Sequence, residues 1–384
     1  MPPITLNRRR FLSCSAAAGL AISQGTLADA GDVRPVRLGC IGIGNRGTAL
    51  LRAVIELPGT PVLAVCDPEP KHRQRGQGIV EKAQGHRPEA FEDPRRVFDR
   101  SDVDAVVVAL PCDLHDPVAC QAILAGKHLY TEKPFALTVA GCERIAREAA
   151  RHPGLAVHVG FQRRSNPRFQ EAVERIRGNE LGSLIEARAS WTSSNGPLSG
   201  THGWLARRGR SGDFMVEQAV HIWDALHWLH GGLPVRAAGW GRRGLFARLD
   251  PGRDVTDHYS VELEWADGFH ASFVQSWISP ADDEFTGSSL RILGEEGGLD
   301  LGTGCLTYRD RQRPRQTLAP GPQNDTRRAL AHFLSSIRAP KLLPPAVSLS
   351  EARDATLIGL LVRKAVDERR PVTMDEIKAE STEA

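Results

Sequence analysis

Apolar and polar residues change period partway along this chain. Residues 36–41 form a short continuous apolar run, read as a buried strand, which leads into Gly42-Ile43-Gly44-Asn45-Arg46-Gly47 and then into helically spaced apolar positions over 50–57. The rhythm repeats with a strand at 61–66, a polar helix at 71–84, a short helix near 94–100, a strand at 103–110, a helix at about 116–125 and a strand at 128–131. Apolar strands spaced by helices predict right-handed crossovers and a doubly wound parallel sheet. Further on the period falls towards two. Segments 183–192, 235–241, 257–265, 268–278, 289–294 and 298–308 alternate in part, and Ala266-Asp267-Gly268 predicts a hairpin. Two helices follow, at about 325–338 and 350–368, with a linker at 340–345 between them.

Composition narrows the class. With 384 residues, 41% hydrophobic and 25% charged, the chain is long enough for two domains with cores of their own, which excludes a disordered or fibrous protein. Lys and Arg number 49 against 46 Asp and Glu, a balance that gives no reason to expect nucleic acid as a partner. The seven cysteines, at 14, 40, 66, 112, 120, 142 and 305, show no C-x-x-C or metal spacing and read as buried free thiols. Residues 1–30 read as an export leader instead of fold. Arg8-Arg9-Arg10-Phe11-Leu12 precedes a small-residue, weakly apolar stretch and Ala28-Asp29-Ala30, an A-x-A cleavage pattern. The run resembles a Tat signal, with Asn7 where Ser or Thr is usual; it implies the Tat machinery as a partner and a periplasmic mature protein.

The glycine motif carries the first chemistry. Gly42 permits a tight turn, Gly44 lets the backbone approach a pyrophosphate, Gly47 allows close helix–strand packing, and the helix N-terminus beyond them, which Asn45 and Arg46 enter, attracts an anion. Asp67 ends the second strand at the spacing where a dinucleotide fold places the acid that accepts ribose hydroxyls, which favours NAD over NADP. Lys71, His72 and Arg73 follow closely enough to answer a 2'-phosphate, although a solvated helix face is their more ordinary use. Two later strand ends, where ligands bind in such sheets, carry Pro111-Cys112-Asp113-Leu114-His115 and Glu132-Lys133-Pro134.

Taken in order, GIGNRG (42–47), CDP (66–68), P-x-x-x-H (111–115), TEKP (131–134), GFQRRSNP (160–167) and GDFMVEQAVHIWDALHW (212–228) resemble the Gfo/Idh/MocA oxidoreductases, relatives of glucose-fructose oxidoreductase and inositol dehydrogenase. The resemblance runs from about 35 to 370. It implies a Rossmann domain over 31–160, a domain with a large open, mainly antiparallel sheet over 161–370, a tail at 371–384, and a homo-oligomer. It also implies NAD(P) contacts at Pro111, His115, Glu132 and Lys133, and catalysis by Lys133. Glu217, at a position where many relatives carry Asp, and His221 are implied in catalysis as well. Spacings of four and three put Glu217, His221 and Asp224 on one helix face. A metal on that triad is the weaker reading, since hydride chemistry needs none. Arg163, Arg164 and Asn166 follow a strand and suit hydroxyls or a carboxylate, while Trp191 and Trp204 lie among loop-forming residues and suit a sugar face. Arg207-Arg208-Gly209-Arg210 reads as a solvated loop or as a contact for an anionic substrate.

An ammonium at Lys133, beside an oxidised nicotinamide, is expected to have a lowered pKa. Lys133 or His221 then takes the proton of a sugar or polyol hydroxyl as hydride leaves for the cofactor. Export away from the nicotinamide pool argues for a tightly bound cofactor and a closed redox cycle. The alternative is an NAD-dependent glycosidase or lyase that oxidises, eliminates and re-reduces. A non-enzymatic sugar or nucleotide sensor on the same fold stands third, with Lys133 and His221 against it.

Overall fold

The structure is a computed structural model that describes residues 34–194, 196, 203–282, 284–321, 323–339 and 343–380. The leader expected over 1–30 lies outside the described residues, as does Cys14. The described residues from Pro35 onward form one compact unit.

Its first half alternates as the pattern predicts: β1 (Leu38–Ile41), α1 (Asn45–Ile55), β2 (Val62–Cys66), α2 (Pro70–Gln84), β3 (Glu89–Phe91), α3 (Arg95–Phe98), β4 (Ala105–Val108), α4 (His115–Leu124), β5 (His128–Thr131), α5 (Val139–Arg151) and β6 (Val157–Val159). The strands make a six-stranded parallel sheet in the order β3-β2-β1-β4-β5-β6. β1 and β4 are buried along their whole length, as a sheet covered on both faces requires. The order reverses at β1 and β4, so the crevice for a ligand opens at their carboxyl ends.

The second half begins with α6 (Pro167–Arg177) and β7 (Leu184–Thr192), then the short helices α7 (Arg208–Ser211) and α8 (Phe214–Glu217), and α9 (Val220–His230). Strands β8 (Arg236–Arg243), β9 (Thr256–Glu264), β10 (His270–Ser276), β11 (Gly287–Gly294), β12 (Gly297–Asp300), β13 (Cys305–Tyr308) and β14 (Gln316–Thr317) follow. The chain then runs through α10 (Asp325–Arg338), α11 (Leu349–Glu368), β15 (Val372–Thr373) and α12 (Met374–Ala379). The nine-stranded sheet has the order β14-β13-β12-β11-β7-β10-β9-β8-β15 and is antiparallel except where β7 meets β10. Its inner face carries Ala187, Tyr259, Val261, Leu263, Phe273 and Ile292, all buried.

Several elements differ from the sequence reading. The segment 298–308 is two strands, because the turn after Asp300 reverses the chain. The stretch beyond 370 is not a bare tail: β15 pairs with β8, and α12 starts at a Thr373–Glu376 capping box. Trp240 is 73% exposed, since β8 turns it to the outer face of the sheet. The six described cysteines are free thiols, with Cys120 and Cys305 only partly buried.

The sequence reading also assigned α10 to the second domain, but its apolar stripe packs on the first sheet. Leu330, Phe333, Leu334 and Ile337 join the cluster of Leu38, Leu50, Val54 and Tyr130. Phe333 lies 5.8 Å from Tyr130 and 5.2 Å from His158 between ring centroids. The amphipathic stripe shows that α10 buries a face, and only the fold shows against what. Phe333→Ala is expected to cost about 3–5 kcal/mol in urea denaturation. His158 is buried with Nε2 lacking a partner, and burial, reinforced by His332, pushes its pKa down to about 3. Above pH 6.5 it is neutral in both folded and unfolded chains. As the pH falls from there towards 3, the unfolded chain takes up a proton that the folded one refuses, so stability drops. A denaturation series from pH 7 to 4 is expected to show this loss, and His158→Gln is expected to flatten it.

Candidate functional site

The glycine turn is built by exclusion. Gly42 has φ +81°, and a Cβ there would lie 2.1 Å from the Ala109 carbonyl oxygen; a Cβ on Gly47 would lie 1.7 Å from the Gly42 carbonyl oxygen. Only glycine fits either place. Gly44 faces open space, and α1 starts after it with no side-chain cap, which leaves the N–H groups of the turn beginning at Asn45 without a side-chain partner. A tight turn, an open glycine and an uncapped helix start suit a pyrophosphate, so the residues present fit a dinucleotide.

Asp67 is 6% exposed and clamps this turn. Its carboxylate accepts from the Ile43 N–H at 2.7 Å and the Glu69 N–H at 2.9 Å, and lies 3.1 Å from His72 Nδ1. The sequence reading expected a ribose contact here; the structure adds a structural duty that occupies both oxygens. Arg73 donates to the Asp67 and Pro68 carbonyls at 2.6 and 2.9 Å, so His72 and Arg73 are drawn to the strand end, while Lys71 lies exposed on the helix face.

The two motif loops are joined by His115. Buried at the start of α4, it places Nδ1 2.7 Å from the Pro134 carbonyl oxygen and Nε2 2.9 Å from that of Leu110. Expected among the cofactor contacts, it instead staples the loop after β4, which carries Pro111, to the loop after β5. Arg46 is likewise occupied: Nε donates to Glu132 at 2.7 Å and Nη1 to the Thr326 hydroxyl of α10 at 3.1 Å. Glu132 is 4% exposed, so this pair ties the glycine motif to the TEKP loop.

Lys133 reaches from that loop into the second half. Its Nζ donates to the Glu217 carboxylate and to the Glu217 main-chain carbonyl, both at 2.6 Å. Burial alone would lower the Lys133 pKa, but the charge of Glu217, with smaller contributions from Cys112 and Glu132, carries it above the ordinary lysine value. The depression expected beside an oxidised nicotinamide must therefore work against Glu217, which the sequence placed nearby without showing that it pairs with the lysine.

His221 has the opposite character. Neither ring nitrogen has a hydrogen-bond partner among the described residues, and Nδ1 is buried. The ring stacks on Trp191 at 6.1 Å and meets the edge of Phe161 at 6.3 Å. Burial pushes its pKa well below 6.5, and the cations Lys133, Arg163 and Arg46 push it the same way. A neutral imidazole with free lone-pair capacity thus sits beside a fixed ammonium.

The expected triad divides. Glu217 ends α8, Gln218 and Ala219 form a turn, and His221 lies in the first turn of α9, so one continuous helix face does not carry all three residues. Asp224 is 1% exposed and takes three bonds from Arg164, from Nε at 3.0 and 3.3 Å and from Nη2 at 2.8 Å. Arg164 Nη1 also donates to Glu351 at 2.7 Å, and its guanidinium lies 4.8 Å from the Trp228 ring centroid. Arg164 and Asp224, expected at the substrate, are therefore a buried clamp between the 160–167 loop, α9 and α11. Glu351 was not foreseen: its Ser348-x-x-Glu351 spacing signals a helix start, and its contact 187 residues away leaves no local trace.

Arg163 does remain at the site, 5.2 Å from the Trp191 ring centroid. Trp204 lies on a one-turn 3-10 helix, Trp204–Ala206, and makes no ring contact or hydrogen bond with this cluster among the described residues. Arg207, Arg208 and Arg210 are paired with Asp250, Asp367 and Asp113. Among the described residues, no three His, Cys, Asp or Glu side chains are placed to hold a metal.

Breaking a buried ion pair by removing one partner costs about 3–5 kcal/mol. Asp224→Ala is expected to lower the melting temperature with a loss of that order. A rise in KM with the melting temperature intact would instead return Asp224 to the substrate.

Comparison with known proteins agrees with this layout. Residues 36–161 match the oxidoreductase family with an NAD-binding Rossmann fold, and residues 169–300 match the GFO/IDH/MocA C-terminal domain. The NAD(+)-dependent scyllo-inositol 2-dehydrogenase of Bacillus subtilis is 25% identical over 274 residues, 70% of this chain and 74% of that one. A glycosyl hydrolase family 109 protein of Shewanella amazonensis is 34% identical over 157 residues, about a third of each chain. The crystal structure of myo-inositol 2-dehydrogenase from Lactobacillus plantarum shares the fold at a TM-score of 0.73 and 18% identity, covering 88% of this chain and 99% of that one.

Proposed function

This chain belongs to the Gfo/Idh/MocA oxidoreductase family, and we propose that it oxidises a hydroxyl of a sugar or polyol with a nicotinamide dinucleotide held at the glycine turn. The observation that carries the reading is the neutral, unpartnered His221 beside the Lys133–Glu217 ion pair, at the carboxyl edge of the parallel sheet. NAD bound there supplies the hydride acceptor. Gly42, Gly44, Asn45 and Gly47 shape the pyrophosphate cradle, with Asp67 and Arg46 bracing it.

The two side chains divide the work by charge. His221 accepts the hydroxyl proton, because burial and its cationic neighbours keep it neutral. Lys133 stays an ammonium, held by Glu217, and donates a hydrogen bond to the substrate oxygen as negative charge develops on it. Trp191 offers an apolar face to a sugar ring next to His221.

The run at 8–12 supports export in folded form, which in turn supports a dinucleotide carried with the protein and recycled on it. A second reading is favoured by the 34% identity to a glycosyl hydrolase family 109 protein: transient oxidation, elimination and re-reduction with no net redox change. Product analysis separates the two, since a ketose or lactone marks oxidation and a released aglycone with unchanged redox state marks glycosidase action. Mass spectrometry of the denatured protein tests whether a dinucleotide travels with it.

Lys133→Met and His221→Asn are each expected to lower kcat by about 10²–10⁴-fold while calorimetry still detects dinucleotide binding. Because the His221 pKa is lowered and that of Lys133 is raised, kcat/KM is expected to hold a plateau from pH 6.5 to 9. An acid limb centred at 6.5 or above would remove His221 as the proton acceptor.

A further inference from the structure

The cations around His221 are not all paired in the same way. Lys133 is neutralised by Glu217, Arg46 by Glu132, and Arg164 by Asp224 and Glu351. Arg163 is different: among the described residues its guanidinium has no hydrogen bond and no ion pair. What it has is two aromatic neighbours, the Trp191 centroid at 5.2 Å and the Phe169 centroid at 5.7 Å. Aromatic contact satisfies the face of a guanidinium and leaves its in-plane N–H donors unspent. Those donors form a fork that matches a planar carboxylate.

The geometry points to a substrate that carries a carboxylate, a sugar acid, gripped by Arg163 while His221 and Lys133 address a hydroxyl of the same molecule. This deepens the oxidoreductase reading above and rests on it. Trp191 ties the anchor to the reacting site, since the ring that Arg163 touches also stacks on His221. The carboxylate is a handle and takes no part in the bond changes. Burial pushes the Arg163 pKa down to about 10 against the weaker pull of Asp224 and Asp325.

Those two carboxylates are the internal competitors. Asp224 is committed to Arg164. Asp325 accepts from Asn166 Nδ2 at 2.9 Å through Oδ2, but its Oδ1 is buried without a partner. Asp325 is thus the carboxylate that a substrate acid has to outcompete for the fork.

The test is calorimetry on the full protein loaded with NADH, titrated with matched pairs: D-glucuronate and D-glucose, D-galacturonate and D-galactose, D-gluconate and D-glucitol. The acid of at least one pair is expected to bind more than about tenfold tighter than its neutral partner. Arg163→Gln is expected to bring that ratio close to one, and Arg163→Lys to restore part of it. Equal or tighter binding of the neutral member in every pair, no binding by any acid, or a preference that survives Arg163→Gln overturns the proposal. Should Arg163→Gln fail to fold, the wild-type ratios decide, together with the loss of acid preference as salt is raised. NADH formation from NAD+ in the same series reports the parent reading separately. Acids that bind without any sugar being oxidised sink the oxidoreductase and keep the handle, whereas neutral sugars oxidised with equal affinity do the reverse.

Discussion

One largely enclosed ammonium joins the halves of this molecule. Lys133 projects from the end of β5, and its Nζ bonds both the carboxylate and the main-chain carbonyl of Glu217, at the end of α8. The carbonyl bond sets where the helix ends, and the carboxylate bond sets the charge state of the lysine. Taking an ammonium out of water is expensive unless a close anion repays the cost, and here the anion comes from a segment 84 residues further on. The sheet that shapes the dinucleotide cradle and the sheet that backs the substrate pocket are therefore held in register by the same contact that prepares the lysine as a hydrogen-bond donor. His221, four residues beyond Glu217, is placed by that contact too.

The neighbouring arginines show how position divides one residue type into two uses. Arg164 is enclosed by Asp224, Glu351 and Trp228, and it spends its donors on fastening three elements together. Arg163 leaves the one-turn helix 162–165 in another direction, lies over two aromatic rings, and among the described residues keeps its donors. In a 3-10 turn, residues adjacent in sequence point about a third of a turn apart, so alternation between structure and recognition is natural there. The dipeptide alone does not show which arginine does which.

Much of the architecture was legible in the sequence because its signals are local. Apolar runs such as 103–110, the glycines at 42, 44 and 47, and the Ala266-Asp267-Gly268 turn each report on backbone geometry within a few residues. The spacing of Glu217, His221 and Asp224 misled for the same reason: it is a local rule, and the turn at 218–219 breaks the helix on which the rule depends. What the sequence could not show are pairings across long separations, Arg46 with Thr326, Arg164 with Glu351, and α10 with the first sheet. The Lys133 pKa belongs with these. Its direction in the chain itself depends on whether burial or a particular carboxylate dominates, and only the folded chain brings that carboxylate to 2.6 Å.

The same electrostatics constrain what the pocket can hold. Lys133, Arg163 and Arg46 all depress the His221 pKa. For Lys133 and Arg46 a directly paired carboxylate shortens the reach of the charge, whereas among the described residues Arg163 feels Asp224 and Asp325 without pairing with either. A proton arriving at His221 during oxidation therefore meets one cation with no direct ion-pair partner, across Trp191. An anionic group on the substrate, bound at Arg163, removes that penalty at the moment the imidazolium forms, so an acid handle would assist the chemical step as well as binding. A neutral sugar would leave the repulsion in place. Discrimination of this kind appears in kcat as well as in KM, because the favourable interaction is larger when His221 is protonated than when it is neutral.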